Sequence, residues 1–326
     1  MAGAPVLPAA VLIEPDGSHR VCTWEEVAGG LRAPEGGFLW VLVDPALPVQ
    51  SAWLQARAGV DPVARRALGS SEGRPGVSVY DEAMVVTLRG INLDEDAEPG
   101  DMVTIRTWIE PGRFLLVRHH RVRAVEDVYA SFASEGAPKD VSELLLRLIN
   151  ALLARISDYA EGVEEQADGF EDQVLDPEDD PERADLVDLR RQVMAVRRHL
   201  VTQRELLVRL HEAELPVLAA THLRGFRDAA NRMARYVDEL ESVRDRAMLV
   251  HEELAAREAE RMNARMYLFT LIAGVFLPLG FLTGLLGINV GGMPGADDPT
   301  AFWWVCGICG SLGIGAFLGL RFSRWL

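Results

Sequence analysis

Residues 266–286, MYLFTLIAGVFLPLGFLTGLL, carry no charge over 21 positions. A helix needs about 20 consecutive apolar residues to cross the hydrocarbon core of a bilayer. A second uncharged run, residues 301–320 (AFWWVCGICGSLGIGAFLGL), follows after a short connection. Two such runs so close together predict a C-terminal transmembrane hairpin, with two buried core helices as the alternative. Pro278 is compatible with a span, because a carbonyl it frees finds a neighbouring helix or water. The charges beside the runs set the topology. Arg257, Arg261 and Arg265 precede the first run, and Arg321 and Arg324 follow the second. The connection, residues 290–300, has no Lys or Arg and carries Asp297 and Asp298. Both termini are therefore expected in the cytoplasm, with a short acidic loop outside. Trp303 and Trp304 suit the outer interface and Trp325 the inner one. Two spans cannot enclose a polar path by themselves, so a path through this hairpin requires several copies, and a closed ring of identical subunits supplies them. Gly307, Gly310, Gly313, Gly315 and Gly319 permit close helix approach in the second run.

The rest of the chain is unlike this tail. Mean hydropathy is near neutral, +0.06, because a charged part of some 260 residues is averaged with the apolar end. The net charge is -16. That balance argues against nucleic acid, which demands a basic face, and suits either attraction of cations or plain solubility. Three cysteines, Cys22, Cys306 and Cys309, form no disulfide framework. The first ten residues show no secretory signal, so the large N-terminal part is expected in the cytoplasm.

Residues 6–123 read as mixed α/β. Short β-rich runs at 37–43, 84–88, 102–105 and 113–117 are punctuated by Gly, Pro and Asp. Residues 79–112 read as adjacent strands joined by an acidic turn at 94–100, and residues 51–59 as a helix between strands. After Ala137-Pro138 the period changes to 3.6. Leu144, Leu145, Leu148, Leu152, Ile156, Tyr159 and Val163 mark a helix over 141–175. The run 176–182, DPEDDPE, breaks it. A second helix is expected over 183–214, ended by Pro216. A third begins near Ala219 and has no proline or glycine pair before the apolar run; from Ala219 to Gly287 it would be roughly 100 Å long. Over 219–265 it interleaves Arg with Asp and Glu, which suits a solvated stalk or a bundle of copies. Gly225 within it is tolerable at a cost of ~1 kcal/mol. The domains are then 1–137 (α/β), 138–218 (acidic helical hairpin), 219–265 (stalk) and 266–326 (two spans).

Gly287-Ile288-Asn289 lies at the outer end of the first run, within FLPLGFLTGLLGIN and ahead of Gly291-Gly-Met-Pro-Gly295. This segment resembles the Gly-x-Asn signature of the CorA superfamily of divalent-cation transporters, most closely its zinc-transporting ZntB-like branch. The order of parts is also similar. The resemblance implies an α+β membrane protein of the bacterial inner membrane. Its cytoplasmic α/β domain would form a pentameric funnel leading through a long stalk helix to a two-helix pore. It implies zinc, with possible proton coupling, as the transported ion, while a magnesium, cobalt or nickel channel of the CorA type is the alternative. Partners would be the divalent cation, membrane lipid and further copies of the chain, with no cofactor.

Carried over residue by residue, Gly287, Ile288 and Asn289 would form the selectivity filter. A ring of Asn289 carboxamides would hold a hydrated cation through its water shell, and neutral oxygens bind without trapping. Glycine and asparagine also suit an ordinary helix C-cap. Met266, Phe269, Leu277 and Gly280 would face the pore, the first three as an apolar constriction. Gly280 departs from the family pattern, in which threonine is usual. Asp297 and Asp298 would draw cations to the mouth.

Other candidates have competing readings. The acidic run 176–182 reads first as a solvated turn and second as a site for a divalent regulator. Cys306 and Cys309 have metal-like spacing but sit where small residues pack helices. His119 and His120 follow a strand near a basic stretch and read first as surface or core residues and second as zinc ligands. No phosphate-binding glycine loop, nucleophile elbow or metallohydrolase histidine motif is present, so the chain is not expected to be an enzyme. The alternative from another class is a membrane-anchored interaction or regulatory protein.

Overall fold

The computed structural model describes residues 7–70, 73–92, 97, 100–176, 181–212, 215, 217–287 and 298–322. They divide into two compact units, Met1–His251 and Glu252–Leu326.

The first unit is built on a seven-stranded sheet. Its strands are β1 (Ala10–Ile13), β2 (His19–Cys22), β3 (Phe38–Val43), β4 (Gly76–Tyr80), β5 (Ala83–Ile91), β6 (Met102–Glu110) and β7 (Arg113–Arg118), in the spatial order β2-β1-β3-β7-β6-β5-β4. Only β3 and β7 pair in parallel, from Leu39 opposite Arg113 to Val43 opposite Val117. β3 reads FLWVLV and is buried at every position, as a strand covered on both faces must be. On one face, Leu39, Val41 and Val43 join a core with Trp53, Leu54, Ala64 and Leu68. On the other, Trp40 meets Tyr129 and Phe132, with ring centroids 6.4 and 5.7 Å away.

Helices supply both coverings. α1 (Trp24–Ala28) opens with a capping box between Thr23 and Glu26. The helix expected over 51–59 is α2 (Pro48–Ala56), and a further helix, α3 (Pro62–Gly69), follows it. Gly59, at φ 65°, turns the chain between them. Asp61 then caps α3 by accepting from Val63 N and Ala64 N at 2.7 and 3.1 Å, an ordinary N-cap ahead of proline. α4 (Arg123–Glu135) follows β7. The expected acidic turn at 94–100 lies largely outside the described residues.

The helix predicted over 141–175 is α5 (Val141–Leu175), capped by Asp140 on Ser142 N and Glu143 N, each at 2.8 Å. It lies on β5. A Cβ on Gly90 would stand 2.6 Å from Leu152 Cδ2, so glycine is what allows this approach. α6 (Arg183–Glu212) packs on β4 and β5. Its buried Gln203 accepts from Arg89 N at 2.6 Å and donates to Arg89 O at 3.1 Å. β4 pairs with β5 only as far as Thr87, so the carboxamide takes the place of the missing strand.

After a 3-10 turn at Ala220–His222, α7 runs unbroken over Leu223–Leu286. Its 64 residues span about 96 Å at the usual rise. Phe226, Met233, Leu240 and Ala247 are buried at seven-residue spacing. Gly225 has a packing reason: a Cβ there would press into Leu146 Cδ2 of α5. In the second unit, α7 is followed by α8 (Ala301–Phe322).

Candidate functional site

The final turns of α7 and all of α8 belong to the Glu252–Leu326 unit, and the candidate residues lie there. The helix containing this stretch is long and apolar enough to cross a membrane, with a window of mean hydropathy 2.1 that is unburied. Met266, Phe269 and Leu277 are 62, 72 and 74% exposed. Leaving side chains of this size in water would forfeit about 1.5–3 kcal/mol each, so another apolar surface must cover them.

Their direction is specific. At about 100° per residue, Met266, Phe269, Leu277, Gly280 and Gly287 fall within one arc of roughly 80° on α7. Ala273 and Gly284 fall in the same arc; neither stands out in the sequence, because a run that is apolar all round has no contrast from which to read a face. The half-buried residues of this stretch are Tyr267, Leu271, Val275, Leu279 and Leu282. They centre about 180° away, on the opposite face. On α8 the half-buried residues are Ala301, Val305, Cys309, Gly313 and Ala316, again one stripe and almost all small. Leu279 Cδ1 lies 4.0 Å from where a Cβ on Gly313 would stand. α8 therefore packs on the leucine face of α7 and leaves the candidate arc open.

The open arc contains no charge. Met266, Phe269 and Leu277 form its apolar part, and Gly280, Gly284 and Gly287 give it a narrow profile toward the helix end. Thr283 sits beside the arc, but its hydroxyl donates to Leu279 O at 2.9 Å and lies 3.2 Å from Gly280 O. It is thus turned back onto its own helix and does not supply the hydroxyl absent at Gly280. Gly287 closes α7, its N–H donating to Thr283 O at 2.9 Å and approaching Gly284 O at 3.2 Å. A Cβ at Gly287 would stand 3.0 Å from Thr283 O, so the tight cap itself favours glycine. Ile288, Asn289 and Asp297 lie outside the described residues.

Asp298 is described and stands three residues ahead of α8. Its carboxylate accepts from Thr300 N and Thr300 Oγ1, both at 2.8 Å. These bonds hold its pKa below the ordinary aspartate value, so it remains charged at neutral pH while serving as a turn residue.

The other candidates do not gather. Cys309 lies in the half-buried stripe of α8 and Cys306 is exposed; both are free thiols. Among the described residues His119 Nε2 is buried without a hydrogen-bond partner, and His120 is exposed. Most of the acidic run 176–182 lies outside the described residues. Among the described residues, no group of three or more His, Cys, Asp or Glu side chains could hold a metal ion.

A seven-stranded α/β unit, one long helix that runs on into an uncharged segment able by length and composition to cross a membrane, and a second apolar helix packed on that segment define a protein with a large polar domain and an apolar C-terminal helical part. Residues 35–321 match the family model described as "CorA-like Mg2+ transporter protein", and the chain belongs to the CorA family, as its Gly-Ile-Asn segment led us to expect. It is 36% identical over 290 residues to the divalent cation transporter CmaX of Pseudomonas aeruginosa, covering 88% of this chain and 87% of that one. It is 32% identical over 293 residues to the zinc transport protein ZntB of Yersinia enterocolitica, covering 88% of each. The solved structure of full-length CmaX superposes with a TM-score of 0.85 at 33% identity, over 97% of both chains. The complete CorA magnesium transporter of Methanocaldococcus jannaschii gives 0.82 at 17% identity, over 99% of this chain and 100% of that one, a likeness of fold alone.

Proposed function

We propose that the chain carries a divalent metal cation, zinc foremost, across a bacterial inner membrane through a pore formed by five copies. The observation that carries this reading is the open, uncharged arc on α7 opposite its contact with α8. An apolar face turned away from α8 suits a lipid surface. An apolar face that narrows to glycines and ends in Gly287-Ile288-Asn289 suits a pore axis better. In that arrangement Met266, Phe269 and Leu277 form a constriction that opens and closes by wetting. Asn289 holds the hydrated ion through its water shell at the outer end, and Asp297 and Asp298 concentrate cations at the mouth. Both termini lie in the cytoplasm. The domain limits 1–137, 138–218, 219–265 and 266–326 serve as funnel wall, helical hairpin, stalk and pore.

Zinc is favoured by the relatives named zinc transport proteins. The second reading, a magnesium, cobalt or nickel channel, is favoured by the arc itself. It offers no imidazole, thiolate or carboxylate, and neutral oxygens suit hydrated magnesium at least as well as zinc. Flux into proteoliposomes, with zinc and magnesium compared under imposed pH gradients, tests ion, direction and coupling together. Zinc flux that rises with a proton gradient supports the first reading. Magnesium flux indifferent to pH supports the second. A monomer in mild detergent with no flux of either ion would support a membrane-anchored interaction protein instead.

A further inference from the structure

Charge is sorted to opposite flanks of the helical layer in the Met1–His251 unit. On α6, Val187, Met194 and Val201 recur at seven-residue spacing; Val187 and Met194 are 54 and 50% exposed. Arg190, Arg191, Arg197 and Arg198 flank this seam, and Arg244 of α7 closes it into a groove of about 770 Å³. Every charged residue lining the groove is an arginine, in a chain of net charge -16. Arg191 has Asp188 at 3.1 Å, Arg197 has Glu241 at 2.8 Å and Arg244 has Asp245 at 2.6 Å. Arg190 and Arg198 have no carboxylate partner among the described residues.

The other flank is the reverse. Residues 225, 232, 239 and 246 of α7 recur every seven positions on the side toward α5. Gly225 abuts Leu146, Arg232 binds Asn150, and Arg246 binds Asp168 and Glu171. Between them stands Glu239 beside Glu164 and Glu161 of α5. Burial, then the Glu164 charge, raise the Glu239 pKa; Arg235 offsets this in part, and Glu161 and Asp238 add to the rise. Glu161, Glu164 and the neighbouring Glu165 are exposed. One flank thus carries acid short of base, and the other carries base short of acid.

Two complementary patches on opposite sides of one subunit make a head-to-tail contact, which generates a ring when the rotation closes. We infer that the arginine groove of α6 and α7 receives the acidic flank of α5, at Glu161 and Glu164, from a second copy of this chain. A seam with one apolar residue every seven positions fits a single helix laid along it. A bilayer surface selects a broad apolar face instead, and the acidic complement is present in the same sequence. The inference rests on the proposed ring of copies and names the surface that fixes its order.

Disulfide trapping in the full-length protein tests it. Arg198→Cys and Glu164→Cys are placed in one chain with Cys306→Ser and Cys309→Ser, and membranes are oxidised. A ladder of linked chains is expected, and neither single cysteine should extend beyond a dimer. Separately, Arg190→Glu with Arg198→Glu should lower the oligomer's association constant about tenfold or more, equivalent to ~1.4 kcal/mol or more. Adding Glu161→Arg and Glu164→Arg to the same chain should restore it. Absence of the ladder, or failure of the swap to restore assembly, overturns the inference. Binding of short-chain phosphatidylglycerol that is lost on arginine reversal and not regained in the swap would assign the groove to lipid and likewise overturn it. A ladder without ion flux leaves this interface standing and removes the transport reading. Flux without a ladder does the opposite.

Discussion

Replacing Gln203 with leucine tests how the helical layer is fastened to the sheet. The side chain is 2% exposed and satisfies both backbone groups of Arg89, at 2.6 and 3.1 Å. Leucine has nearly the same volume, so no large cavity opens. The change leaves one N–H and one C=O without their partner. Each such group costs about 1–3 kcal/mol. Arg89 is itself only part-buried, so water recovers some of that, and a total of ~2–4 kcal/mol is expected. Gln203→Glu should be intermediate at neutral pH, since a carboxylate still accepts from Arg89 N but cannot donate to Arg89 O. The assay is urea unfolding of the full-length protein in detergent, followed by tryptophan fluorescence, with amide exchange at Arg89 as the local probe. A loss below ~0.5 kcal/mol, the range of ordinary surface substitutions, with unchanged Arg89 protection would refute the strand-substitute role.

Three further outcomes are expected. Gly225→Ala sets overpacking on Leu146, about 1–3 kcal/mol, against about 1 kcal/mol of regained helix propensity, so a net loss of up to ~2 kcal/mol is expected, and adding Leu146→Ala should relieve the overpacking part, as read by the same unfolding assay. Glu126 is paired with Arg121 at 2.6 and 2.8 Å, and this pairing holds its pKa below the ordinary 4.5. A lowered carboxylate pKa means stability that is present above about pH 4.5 and lost as pH falls through the folded value. Arg121→Ala should therefore flatten the acid limb of the stability profile between those values, and an unchanged limb would contradict the pairing. Gly280→Thr should place a hydroxyl on the open arc and change the ratio of zinc to magnesium flux, whereas a lipid-facing position would leave that ratio as it was.

The hairpin was legible because twenty-odd uncharged residues admit few structures, and the bounds of α5 were legible because its apolar period is clean and Asp140 and Asp176 punctuate it. α3, opened by the Asp61-Pro62 cap, lies beyond the helix expected over 51–59 and was not named from the sequence. The β1–β2 hairpin was missed as well. Its turn signal, Pro15-Asp16-Gly17, was present, with Gly17 at φ 83°, but four-residue strands carry little period. Gln203 was illegible because its partner is a backbone 114 residues away. For the candidate site, Gly287 and the residues expected to face a pore came from a family motif, not from periodicity. The direction of the arc came only from seeing which residues α8 covers, since Leu271, Val275 and Leu277 look alike as sequence.

The central claim is that the end of the first span is a cation filter. The direct measurement is zinc uptake into proteoliposomes by the wild-type chain and by Asn289→Ala, with assembly of both checked in the same preparation. Wild-type flux lost in an Asn289→Ala protein that assembles normally is the result this account predicts. Equal flux through both would contradict it.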